Sequence, residues 1–290
     1  MMHIYKNLQI LISFIISIGR ILKYKAYIGG LPYSGEVLEG TLYILGTGPA
    51  LKIDLTRNLD IFLKSDVLVV NDFALDYCYN TIRPCYYVFA DPGYWLDENL
   101  TSDENISIRK KLFDSIISNT SWDLTIYVPK SSLSFFNNIF KANKNISLKS
   151  YNSIDLGDFE SSWGQYCLKR NFAAPCGNVV GTSIYLSVNM GYKTIKVYGV
   201  DHSWTENLRV DNDNKVCTIS KHFYDNEDVD KLIPWLKVNN QMYKMHEILS
   251  DLSKTFYYYF IINNYAKAKN STVYNSSSRS FIDAFIRSEN

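Results

Sequence analysis

Short apolar runs alternate with amphipathic stretches along most of the chain. Leu42-Tyr43-Ile44-Leu45 and Val67-Leu68-Val69-Val70 are uninterrupted, the pattern of strands covered on both faces. With similar runs further on they predict strands at 41–46, 67–71, 86–90, 123–128 and 194–199. Ser102-Asp103-Glu104 reads as an N-cap with acidic first-turn residues. It opens a helix whose apolar face is Ile108, Leu112, Phe113, Ile116 and Ile117. Further helices are predicted over 131–141 and 182–190, the latter closed by Gly191 as its C-cap. Residues 202–230 are polar, rich in Asp and Asn and without a period, the composition of a mobile lid. Residues 231–266 read as helix, Ser271 to Asn275 as a last short strand, and Ser276 to Ile286 as a final turn and helix.

Strands alternating with helices predict an α/β protein with a Rossmann-like, mostly parallel sheet. The chain then divides into a leader at 1–40, a main domain at 41–201, an inserted lid at 202–230, and C-terminal helices at 231–290 that complete the main domain. In the leader, Leu8 to Ile18 is apolar apart from Gln9, Ser13 and Ser17, with Lys6, Arg20, Lys23 and Lys25 around it. This falls short of the roughly 20 residues of a spanning helix, and no small-x-small cleavage site follows. It predicts an amphipathic helix within 1–25. That helix either lies on a membrane surface, its basic residues toward anionic headgroups, or packs on a neighbouring domain or a second copy.

Composition narrows the partners. A chain of 290 residues has room for one α/β domain with an appendage, or for two small domains. A net charge of +1 supplies no field that would draw it to nucleic acid, so no such partner is expected. The five cysteines (Cys78, Cys85, Cys167, Cys176, Cys217) are odd in number and lack C-x-x-C spacing. They argue against a zinc site or a disulfide framework and fit a reducing, cytoplasmic location.

The first strand runs directly into Gly46-Thr47-Gly48-Pro49. Open α/β sheets use such turns to present backbone N–H groups to a phosphate. The second strand ends in Asn71-Asp72 beside it. The dinucleotide fingerprint is absent, because Pro follows the second glycine and no acidic residue stands about 20 positions on. Asn178, Gly181, Thr182 and Ser183 stand at the start of a helix on the same sheet edge, where they either cap the helix or bind a donor carboxylate. Asp211-Asn212-Asp213 has the D-x-D form of metal-holding sites but lies in a polar loop and reads as a solvated turn; no metal site is expected. Of the four histidines, His3 and His246 fall in helical patterns. His202 and His222 fall in the polar segment and are the candidates for a base titrating near neutral pH.

Taken in order, Ile44-Leu45-Gly46-Thr47-Gly48-Pro49-Ala50-Leu51-Lys52, Val70-Asn71-Asp72-Phe73, Phe89-Ala90-Asp91-Pro92, Gly191-Tyr192-Lys193…Tyr198-Gly199-Val200-Asp201 and the tail Val273 to Ile282 resemble the bacterial sialyltransferases of glycosyltransferase family 42 and the wider glycosyltransferase-like group around them. The resemblance covers roughly 41–285, in islands. It implies a GT-A type nucleotide-sugar-binding domain with a lid after the Gly-x-Asp strand. It also implies an inverting, metal-independent transfer of sialic acid, or a related nonulosonic acid, from a CMP donor to a sugar hydroxyl. Carried over, the Gly46–Gly48 turn and Pro49 approach the CMP phosphate and ribose, Asn71 contacts the nucleotide, and Asp201 ends the strand before the lid. Thr47 and Asp91 each stand where the group usually has asparagine. His222 lies where the group places its catalytic histidine, and Tyr224 stands in for a lid tyrosine that Ser203-Trp204 replaces. No cofactor is implied beyond the CMP-sugar donor. The implied acceptor is a surface glycan such as lipooligosaccharide or an O-antigen unit, lipid-linked at the inner membrane face. Members of the group often form tetramers. Two other readings stay open: a pterin diphosphokinase-like enzyme using ATP and Mg²⁺ through Asp72, Asp91 and Asp201, and a nucleotide- or glycan-binding module without catalysis.

Overall fold

The computed structural model describes residues 2–23, 38–98, 103–175, 177–219, 232–237 and 241–288. One sheet organises the molecule. Its strands are β1 (Leu38–Leu45), β2 (Asp66–Val70), β3 (Tyr86–Val88), β4 (Leu124–Pro129), β5 (Ile146–Tyr151), β6 (Tyr192–Tyr198), β10 (Thr272–Asn275) and β11 (Ile286–Arg287), in the order β11-β10-β6-β1-β2-β3-β4-β5. Every neighbouring pair is parallel. The expected α/β fold with a Rossmann-like parallel sheet is what the chain adopts.

The unbroken apolar runs follow from covering both faces. Leu42, Ile44, Leu68 and Val70 enter one core, while Leu45, Val67 and Val69 enter the other. Helix α7 (Val179–Met190) and helix α9 (Met245–Ala268) supply the first core with Ile184, Leu186, Ile261 and Ile262. Helices α2 (Leu51–Phe62), α4 (Asp103–Asn119) and α5 (Leu133–Phe140) cover the second, with α3 (Cys78–Ile82) beside them. Gly191 ends α7 at φ 99°, as its C-cap position requires. The residue before α4, Ser102, lies outside the described residues.

Several expectations are corrected. The stretch 231–266 is not one helix: Leu232–Pro234 is strand β9, and α9 begins only at Met245. Pro234 denies a helix interior both a donor and steric room. The tail 276–286 forms no helix; it crosses to β11 as irregular chain. Strand β5 and helix α6 (Ser162–Lys169) were not anticipated. β5 is an edge strand whose Ser147 and Lys149 break the apolar run. The described residues of the polar excursion form α8 (Trp204–Asn207) and, with β9, an antiparallel sheet of β7 (Leu208–Val210) and β8 (Val216–Ile219). Asp211-Asn212-Asp213 makes the β7–β8 turn, Asp211 Oδ1 accepting from the N–H groups of Asp213 and Lys215.

The leader does form a helix, α1 (Met2–Lys23). It packs by one face, where Phe14 meets Trp163 edge-on and the Trp163 indole N–H donates to Ser17 Oγ at 2.5 Å. Leu11, Ile12, Ile15, Ile16 and Leu22 stay exposed on the other. Among the described residues no helix is long and apolar enough to cross a membrane.

Candidate functional site

The chain builds β1 to β5 outward in one direction, then returns to place β6, β10 and β11 on the far side of β1. The reversal between β1 and β6 is the topological switch point, where open α/β sheets leave a crevice beyond their carboxyl ends. A cleft of about 720 Å³ opens there. It gathers Gly46, Thr47, Gly48 and Pro49 after β1, Asn71 after β2, Asp91 after β3, Asp201 and His202 after β6, and Asn178 at the start of α7. Two expected donor contacts are placed elsewhere. Gly181 and Thr182 do not line the cleft; the Gly181 N–H donates to Asn178 Oδ1 at 2.9 Å, and the Thr182 hydroxyl to the Asn178 carbonyl at 3.1 Å.

The glycine turn is shaped chiefly by its own neighbours. The N–H of Gly46 donates to Tyr198 O at 2.8 Å and that of Gly48 to Gly199 O at 2.9 Å. A Cβ on Gly48 would fall 2.2 Å from Asp201 Oδ2, and one on Gly46 would fall 2.4 Å from Gly199 O. The Asp201 carboxylate accepts the Ala50 N–H at 3.0 Å, so it occupies the N-terminal end of α2. Burial raises its pKa, only partly countered by that N–H. Asp54 of α2 accepts from Gly199 N–H at 3.0 Å and Ser278 N–H at 2.9 Å, tying in the C-terminal tail. Three of the sequence islands thus form one knot, which holds carboxylates where a phosphate was expected.

The N-terminus of α7 differs. Asn178 caps it through Gly181, the first turn carries no acid, and Val179 and Val180 line the cleft. Their N–H groups have no partner among the described residues. A helix end left this way presents donors and the positive pole of its dipole.

Asn71 and His202 both lie on the cleft in left-handed backbone, at φ 51° and 50°. For His202 this conformation is uncommon and stores strain. Its Nε2 lies 2.5 Å from Tyr259 Oη, and Tyr259 donates its hydroxyl to Asn178 Oδ1 at 2.9 Å. With that proton committed, Tyr259 can only accept from His202, which assigns the Nε2–H tautomer. The imidazole stacks on Trp204 at 4.1 Å, and burial pushes its pKa down to about 3. His202 therefore stays neutral at physiological pH as an oriented hydrogen-bonding group. It does not meet the expectation of a base titrating near neutrality.

His222 and Tyr224 lie outside the described residues. His246 is exposed on α9. Of the carboxylates considered for a Mg²⁺-nucleotide, Asp72 accepts from Tyr94 Oη at 2.9 Å and Asp91 from Gly93 N–H at 2.8 Å. Among the described residues no group of three His, Cys, Asp or Glu stands together as a metal site. Sequence reasoning missed Trp235, Tyr243 and Asp251, which form the far wall of the cleft. Pro234 was the signal that this stretch is not helical.

No protein-family model matches the chain, and no curated protein matches it. Among solved structures it is similar to the MAf glycosyltransferase from Magnetospirillum magneticum AMB-1, at 9% identity and a TM-score of 0.48. The match covers 93% of this chain and 37% of that one, so the chain spans little more than a third of that structure's length. A likeness this distant is no argument for a shared activity; the fold is read from the chain's own strand order.

Proposed function

We propose that this protein is a glycosyltransferase that moves sialic acid, or a related nonulosonic acid, from a CMP donor to a sugar hydroxyl of a surface glycan. The observation that supports this is convergence. Residues quoted for the resemblance, dispersed from Gly46 to Asp201, meet in one cleft at the switch point of a parallel sheet. In this reading the nucleotide lies along the rim between Asn71 and Asp91, and its phosphate faces the N–H groups of Val179 and Val180 rather than the glycine turn. A preorganised pair of this kind stabilises charge as it develops on a leaving phosphate. His222 takes the proton of the acceptor hydroxyl, Tyr224 supports the leaving group, and neutral His202 orients substrate. The exposed apolar stripe of α1 would hold the enzyme at a membrane carrying a lipid-linked acceptor.

The test is incubation with CMP-sialic acid and lactose in EDTA, following free CMP. CMP and sialylated product are expected. His222→Ala should lower turnover by about 100-fold or more with CMP affinity kept. CMP release only with added Mg²⁺ or Mn²⁺ would refute the mechanism. Stabilisation by ATP with Mg²⁺ and not by CMP, in a thermal-shift comparison, would favour the diphosphokinase-like reading.

A further inference from the structure

The wall of the cleft built from α8, β9 and α9 has its own chemistry. Trp204 opens α8, Trp235 follows β9, Tyr243 precedes α9, and Asp251 lies on α9; all four line the cleft. Their rings are anchored. Trp204, Trp235 and Tyr243 pack, half-buried, on a small core of Val216, Ile248 and Leu252 that is separate from the two cores of the sheet. Main-chain bonds fix the same corner: Trp235 N–H donates to Val216 O at 2.9 Å, and Tyr243 N–H to Trp235 O at 3.0 Å.

The charge of the described residues here disfavours one kind of ligand. Asp251 is exposed beside Tyr243, and no lysine or arginine among the described residues lines the cleft. The nearby cation Lys237 lies over the Tyr243 ring and is bound to Glu247 at 2.5 Å. A phosphate or carboxylate placed against this wall would meet Asp251 uncompensated. A neutral sugar suits it: hydroxyls donate to the carboxylate, and the C–H face of the ring lies on indole.

We infer that Trp235 and Asp251, with Trp204 reaching His202 on the rim, form a subsite for a neutral sugar residue beside the anion-facing rim. This rests on the proposed transferase reading only in naming that sugar the acceptor.

Lactose, maltose and chitobiose titrated into the full chain, read by tryptophan fluorescence and saturation-transfer NMR, test it. A saturable response is expected from at least one of the three, with transfer to its C–H protons. The response should be at least tenfold weaker in Asp251→Asn, with its melting curve unchanged, and lost in Trp235→Ala. Trp235→Phe, which keeps a ring, should retain most binding if the alanine variant fails to fold. No response to any of the three, an equal response to sialyllactose, or undiminished binding in the variants would overturn the inference. CMP titrated separately keeps the two readings apart. Sugar binding without CMP binding sinks the donor assignment alone, and CMP binding without sugar binding sinks the subsite alone.

Discussion

Two helices point their N-termini at the same cleft and are finished in opposite ways. Helix α2 receives the Asp201 carboxylate on the Ala50 N–H, and Asp54 in its first turn binds two further loops. Helix α7 is capped by a neutral amide, its first residues Val179 and Val180 line the cleft, and their N–H groups have no partner among the described residues. In sequence both looked like anion seats. A glycine turn before a helix therefore does not establish phosphate binding, because a carboxylate from a neighbouring strand can complete the same helix end. The α2 end reads as architecture, and the α7 end is where the proposed transferase would receive its anion.

The largest effect should come from crowding the α2 knot. Gly48→Ala drives a methyl into Asp201 and Gly199, and a loss of about 3 kcal/mol is expected in urea unfolding. Gly177→Ala on the α7 side meets Thr255 at 3.1 Å and should cost under about 1 kcal/mol. Equal costs would dissolve the distinction between the two ends.

Charge sharpens it next. Asn178→Asp keeps an acceptor for the Gly181 N–H while placing a negative charge on the α7 end. Folding stability should hold or rise by about 0.5 kcal/mol, whereas CMP affinity measured by calorimetry should fall about tenfold. Unchanged affinity would move the phosphate elsewhere. The mirror change, Asp201→Asn, should alter stability by about 1 kcal/mol and CMP affinity by less than about threefold.

The smallest effect is in acid. On the α7 side Asp155 is buried enough to raise its pKa, but Lys254, the Tyr258 hydroxyl and the Gly157 N–H outweigh this and hold it below its ordinary value of 3.8. Its contribution is present above that value and is lost as pH falls through the lower folded pKa. Asp201 is raised, so the folded state takes up its proton before the unfolded chain does, and falling pH removes no stability there. Hydrogen exchange below about pH 4 should quicken in α9 around Tyr258 before it quickens in α2. Uniform quickening would count against this division.

Much of the sheet was legible because strands covered on both faces must be apolar throughout, as Leu42 to Leu45 and Val67 to Val70 are. Edge strand β5 was not, since one covered face leaves only an alternating trace. The rim of the cleft was legible for a related reason. Ligand crevices follow strand ends, and Gly46, Asn71, Asp91 and Asp201 each stand just beyond one. The far wall was hidden, because Trp204, Trp235 and Asp251 share no period or motif and meet only when β9 folds against α9.

Local pattern alone therefore determined the layered α/β architecture, the C-cap at Gly191 and the strand-end placement of the rim, since each depends on residues close in the chain. Tertiary structure alone decided which helix end is filled, which tautomer His202 holds and what the cleft's second wall is made of. Those depend on Asp201 reaching Ala50, Asn178 reaching Tyr259 and Trp235 reaching Tyr243. The first two are contacts between residues far apart in sequence, and the third, short in sequence, was hidden by reading 231–266 as one helix; no local periodicity encodes any of them.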